Sequence, residues 1–273
     1  MDHRTNSLSD LSLIKDEDIN LAEAALCIAN LDYPSISINS YKDHLISLSE
    51  DVRKENSDIS GIEGRVARIN RVLFDIHRYR GDTTTYDDPQ NANLIRVIDR
   101  RLGLPVVLGI LYIQVARSQK WSAEGLNFPG HFLVRLDIEG QRAIVDPFHN
   151  GQILNAYELR NMLKQCLGAD AELSPDHYAV VNNRDILIRV MNNIKTRAID
   201  NGDLSRAVEI LERMSTLLPT TSSLWWELGN VESNRGNLRR AIRAFLIFID
   251  TCSSDKERAA ANQIVSKIKR ELN

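Results

Sequence analysis

Apolar side chains return every three or four residues through the first third of the chain: Ile19, Leu21, Ala24, Ala25 and Ile28, then Tyr41, Leu45, Leu48 and Val52, then Ile62, Val66, Ile69, Leu73 and Ile76. Each set falls on one face of an α-helix, so the pattern predicts three amphipathic helices. Residues 79–89, rich in Gly, Thr and Asp, read as a loop. Asp88-Pro89 then supplies an N-cap and a first-turn proline for a helix that carries Leu94, Ile95 and Ile98 and stops at Gly103. Pro105 opens the next helix, whose body over 106–118 is apolar on nearly every side and therefore belongs at the centre of a core. Gly109 inside it costs up to about 1 kcal/mol of helix propensity, which fits either a closely packed neighbour or a tolerated interruption.

From His131 the period changes to two. Phe132, Val134 and Leu136 share one face of a strand, and Ala143 and Val145 supply the matching face of a second, with Glu139-Gly140 as the turn between them. With Ile138 opposite Gln141, Asp137 faces Arg142 and Asp146 faces Leu133. His131 and Asp146 then stand on one face as diagonal neighbours, within reach of each other's side chains.

Beyond residue 184 the spacing is helical again and the chain repeats itself. Asn201-Gly-Asp-Leu-Ser-Arg-Ala returns 34 residues later as Arg235-Gly-Asn-Leu-Arg-Arg-Ala, the period of the tetratricopeptide repeat. Trp225-Trp226-Glu227-Leu228-Gly229 fits the Trp-x-x-Leu-Gly opening of that repeat, Ala241 and Phe245 fall at its small and aromatic positions, and Pro219 closes the first unit. Met191 stands in place of an aromatic and Glu232 in place of the usual tyrosine. Residues 185–254 are thus expected to form two stacked helical hairpins, closed by a capping helix over 257–272, since two such repeats alone lack the neighbours needed for stability. Trp225, Trp226, Arg239 and Arg243 are the candidate residues for holding a protein partner.

The balance of 43% hydrophobic and 26% charged residues is that of a soluble globular protein. The longest strongly apolar run, residues 104–113, falls far short of the roughly 20 residues that span a bilayer. Residues 1–18 lack the basic start and apolar middle of a secretory signal. Cys27, Cys166 and Cys252 are odd in number and far apart, which fits neither a disulfide framework nor a thiolate metal site. A cytoplasmic location is the expectation. The net charge of -3 is distributed unevenly, acidic before residue 60 and mildly basic after 184. Arg235, Arg239, Arg240 and Arg243 form the one concentrated basic cluster, and on a repeat helix such a cluster reads as a solvated face rather than a nucleic-acid surface.

The runs Tyr86-Asp-Asp-Pro, Val97-Ile-Asp-Arg-Arg-Leu-Gly-Leu-Pro, Leu111-Tyr, Phe128-Pro-Gly-His-Phe-Leu-Val, Asp146-Pro-Phe and Ile188-Arg-Val-Met-Asn-Asn-Ile-Lys, in that order and followed by the repeats, resemble the bacterial SirB family over residues 15–255. The resemblance implies an α+β fold. Helices over 1–60 would pack on a transglutaminase-like, papain-like core with an antiparallel sheet over 61–183, and an all-α tetratricopeptide-type tail would follow over 184–273. In active members of the wider superfamily a Cys at a helix amino terminus attacks an acyl carbon, a His on the following strand acts as base, and an Asp on the next strand orients it. The terminus matters because its N–H groups favour thiolate over thiol.

By that resemblance His131 matches the catalytic His and Asp146 the orienting Asp. The nucleophile belongs near Pro105, Val106, Val107, Leu108 and Gly109, none of which carries a thiol or hydroxyl, so acyl transfer by this route lacks its first step. The three cysteines read as inert thiols. His131, Asp146 and His149 are candidate nitrogen and oxygen ligands, but Pro147 sets His149 apart and no HExxH or cysteine pair accompanies them, so no metal and no cofactor are expected. The expectation is a non-catalytic scaffold or regulator that binds a protein through its repeats. Its rival is a hydrolase or acyltransferase of peptide or amide bonds, with a nucleophile from elsewhere in the chain.

Overall fold

The computed structural model describes residues 7–55 and 60–272. The first six residues of the stretch read as lacking a secretory signal lie outside them. The chain forms two compact units, Lys15–Val190 and Met1–Ile14 with Met191–Asn273, and the boundary falls within the helix Asn183–Asp200.

In Lys15–Val190 helices surround a five-stranded antiparallel sheet. Its strands run in the order Gln152–Leu154, Gln141–Asp146, Leu133–Ile138, Ser122–Leu126 and Val180–Val181. The hairpin has the register set by its alternation: Ile138 pairs with Gln141 and Asp137 with Arg142, whose Nε donates to the Asp137 carboxylate at 2.7 Å. Glu139 and Gly140 both take positive φ, 51° and 80°, as a two-residue turn matched to the strand twist requires. Ser122–Leu126 and Val180–Val181 extend the sheet on the other side of the hairpin.

The helix Pro105–Ser118 buries every residue from Pro105 to Ile113, together with Val115 and Ala116. Each buried Val, Leu or Ile contributes on the order of 1.5–3 kcal/mol, which makes this helix the main apolar mass of the core. Gly109 does have a close neighbour. A Cβ there would overlap the ring of Phe132, and on the ring's other side a Cβ at Gly125 would lie 2.7 Å from Cζ. Phe132 is held between two glycines, one on the helix and one on the strand Ser122–Leu126.

Four expectations change. The third amphipathic helix is α-helical only over Gly61–Asn70 and continues as a π-helical turn, Arg71–Ile76. The wider turn rotates the inward face, so Val72, Leu73 and Phe74 are buried while Ile76 is 52% exposed. Asp88-Pro89 caps a separate 3-10 turn, Pro89–Ala92, and Asn93 starts the helix Leu94–Arg100 by accepting from the Arg96 N–H. That helix ends at Arg101, with φ 63°, rather than at Gly103. Leu102–Gly103 instead pairs in parallel with Arg80–Gly81, inside the stretch expected to be loop.

In the other unit the helices Leu204–Leu217, Ser222–Asn234, Leu238–Thr251 and Asp255–Glu271 pack in succession, and Leu8–Leu13 packs on Leu204–Leu217. Gly202 and Gly236 hold equivalent turns at φ 74° and 77°. Trp226 packs on Phe245 and Phe248, with ring centroids 5.4 and 5.0 Å apart, and a Cβ at Gly229 would come within 2.7 Å of Phe245. No described helix is long and apolar enough to cross a membrane.

Candidate functional site

Asp146 ends the strand Gln141–Asp146 and caps the 3-10 turn Pro147–His149, accepting from the N–H groups of Phe148 at 2.9 Å and His149 at 3.3 Å. Its side chain is 1% exposed. His131, just before the neighbouring strand, places Nε2 2.9 Å from both carboxylate oxygens, the diagonal contact that the register requires. His149 does not turn away, as Pro147 suggested. The 3-10 turn folds it back over its own cap, with Nδ1 2.7 Å from Asp146 Oδ2, and its ring stacks on His131 at a centroid distance of 5.8 Å. One buried carboxylate therefore carries two imidazoles.

Burial pushes the Asp146 carboxyl up, but the hydrogen bonds and charge of His131, and then of His149, outweigh it and hold the group below its ordinary value. The surroundings fix the geometry. Phe148 stands edge-on to His131 at 5.9 Å and to Tyr86 at 5.8 Å. A Cβ at Gly81 would lie 2.6 Å from the Phe148 carbonyl, so only glycine lets the paired segment Arg80–Gly81 approach the turn that carries His149. Arg189 donates to the carbonyls of Phe128 at 3.1 Å and His131 at 2.5 Å, tying down the chain that presents the imidazole.

Pro105, Val106, Val107, Leu108 and Gly109, the positions at which the resemblance leads one to expect a thiol, are all buried. Among the described residues the His131 side chain hydrogen-bonds only to Asp146. Cys27 is half-buried on Leu21–Asn30, and burial raises its thiol pKa. Cys252 is buried, with Sγ 3.3 Å from Glu257 Oε2. Cys166 lies in the last turn of the helix Ala156–Leu167. It is exposed, and its Sγ packs on Gly130, the residue before His131.

Residues 39–192 match the model of the transglutaminase-like superfamily. The chain belongs to that superfamily. It is 32% identical to a UPF0162 protein of Xylella fastidiosa over 250 residues, covering 87% of this chain and 88% of the relative. With a UPF0162 protein of Vibrio cholerae the identity is 26% over 244 residues, 88% and 90% of the two chains. F-box only protein 21 of Homo sapiens is 27% identical over 208 residues, which cover 71% of this chain and 30% of that protein.

The four candidate partner-binding residues do not form one patch. Trp226 is largely committed to packing on Phe245 and Phe248, and Trp225 Nε1 donates to the Pro219 carbonyl at 2.8 Å. Trp225 and Arg243 line a groove of about 340 Å³ together with Leu228, Glu232, Arg240 and Ile247, and the exposed Arg239 does not line it. Glu232, read only as a departure from the repeat pattern, is 1% exposed, accepts from Arg235 at 3.1 Å and Asn237 at 2.9 Å through Oε2, and stands in an ion pair with Arg240 at 2.8 Å. Arg240 also pairs with Glu212. Two arginines of the basic cluster are thus neutralised within the fold, which weakens it as a surface for phosphates.

Proposed function

We propose that this is a non-catalytic transglutaminase-like protein of SirB type, which holds a partner protein on tetratricopeptide-type hairpins over residues 185–254 and acts as a scaffold or regulator. The observation that carries the reading is an imidazole and carboxylate in full hydrogen-bonded register beside buried hydrocarbon where the attacking thiol belongs. Without that thiol, no acyl-enzyme forms by the superfamily's route. The equivalent glycine turns, the Gly229 approach to Phe245 and the groove beside Trp225 support the repeat reading. The test is affinity capture from native cells with the intact chain and with Arg243→Glu, which reverses a charge in the groove without touching the core. Loss of the same captured protein in the variant supports the reading, and unchanged capture refutes the groove.

A second reading is favoured by one contact, that of Cys166 against Gly130. An exposed thiol packed on the residue that precedes His131 is the remaining candidate for a hydrolase or acyltransferase of peptide or amide bonds. Amide hydrolysis by the purified chain that disappears in both Cys166→Ala and His131→Ala would establish it.

A further inference from the structure

A carboxylate that orients a base needs one imidazole, and Asp146 has two. We propose that His131, Asp146 and His149 form a binding site for a divalent first-row transition ion, with Zn²⁺ as its reference occupant. One ligand atom from each residue lies within 4.8 Å of the other two. Zinc binds imidazole nitrogen and carboxylate oxygen at about 2.0–2.2 Å, so the ligand atoms of a tetrahedral site stand roughly 3.3–3.5 Å apart. Two of the present spacings fall a little short of that value. Asp146 Oδ2 is 2.9 Å from His131 Nε2 and 2.7 Å from His149 Nδ1, and both gaps open by roughly half an ångström around an ion. The gap between the two imidazoles is adjusted by rotation of the His149 ring, whose side chain is 54% exposed.

The protonation fits as well. Hydrogen bonds to a carboxylate need an N–H at each facing nitrogen, and an ion replaces those two protons while neutralising the buried charge between them. Asp146 Oδ1 stays tied to the Phe148 and His149 N–H groups, and the Arg189 contact to the His131 carbonyl steadies the other ligand, the kind of outer support that metal ligands use. Two imidazoles and one carboxylate suit Zn²⁺ and its neighbours rather than Mg²⁺ or Ca²⁺, which take oxygen ligands. Three protein ligands leave a fourth position, beside the exposed edge of His149, for water or an anionic group of a bound molecule.

The intact chain, stripped with a chelator, is titrated with Zn²⁺ by calorimetry and with Co²⁺ by visible absorption, alongside His149→Ala, His131→Ala and a Mg²⁺ control. His149 is exposed and outside the core, so His149→Ala retains the fold, which circular dichroism checks. The expected result is one ion per chain, a tetrahedral Co²⁺ spectrum, and at least roughly tenfold weaker binding in each variant. Absence of Zn²⁺ binding to the intact chain, or binding of unchanged affinity in His149→Ala, overturns the site. Neither outcome bears on the groove at Trp225, which Arg243→Glu tests separately.

Discussion

Replacing Gly109 by alanine is expected to destabilise the protein, against the ordinary preference of a helix. Helix propensity alone favours alanine by about 1 kcal/mol. The added methyl, however, would overlap the Phe132 ring, far inside the roughly 3.5–4.0 Å of a carbon contact. Phe132 is 1% exposed and cannot retreat, because the ring's far edge already meets the space that a Cβ on Gly125 would take. Overpacking of this kind costs about 1–3 kcal/mol, and a buried ring approached from two edges belongs at the upper end. The net expectation is a loss of about 2 kcal/mol, which lowers the urea midpoint of the core transition by about 1 M. Urea titration followed by circular dichroism measures this in Gly109→Ala, in Phe132→Leu and in the double variant. The smaller leucine makes room for the methyl, so the cost of Gly109→Ala falls by at least about 1 kcal/mol in that background. A higher midpoint for Gly109→Ala, or the same cost in both backgrounds, would refute the clamp.

Two further predictions concern charge. His44 lies 2.8 Å from the Tyr79 hydroxyl and 2.8 Å from Arg101 Nη1, and its pKa is drawn down to about 4, first by burial and then by Arg101 and His77, with Asp51 opposing them. The unfolded chain takes a proton at His44 near its ordinary 6.5 while the folded chain does not until about 4. Stability linked to this group is therefore full above pH 6.5 and falls as pH drops toward 4. His44→Gln should flatten the stability–pH curve in that window, and an unchanged slope in denaturant titrations would contradict this. Glu232→Ala strands Arg235 and Arg240 against the place of their buried partner and should cost about 2 kcal/mol. Faster amide exchange in the helix Ser222–Asn234 is the readout, and unaltered protection would show that the pairs contribute nothing.

The hairpin was fully legible because its turn and its alternation both depend on a period of two, which leaves one register that buries Val134, Leu136, Ala143 and Val145 together. From that register alone the meeting of His131 with Asp146 follows. The buried helix was legible for a related reason, since an apolar run opened by proline has few other destinations. Ser122–Leu126 was hidden because it is short and the buried residues of its alternation, Ala123 and Gly125 between Ser122 and Glu124, are too small to leave an apolar signal. The π-helical turn left no mark either, as apolar residues at 72, 73, 74 and 76 suit an α-helix just as well. His149 could have been found. Asp followed by Pro at the first turn position is a capping signal, and a cap folds the third residue after it back toward its own carboxylate. The pairing of Glu232 needed tertiary structure, because Arg240 reaches it from the next helix.

The turn Arg71–Ile76 sets more than the burial of its own side chains. Asn70, where the α-helix gives way to it, donates through Nδ2 to the Gly151 carbonyl at 2.8 Å, while ten residues farther on Arg80–Gly81 must reach both Leu102–Gly103 and the Phe148 backbone. An α-helix accommodating one residue fewer per turn would deliver that segment about 100° around the axis, away from both. The residue count between those two anchors thus works as a vernier. A backbone adjustment of one residue decides whether Gly81 reaches the turn that carries His149.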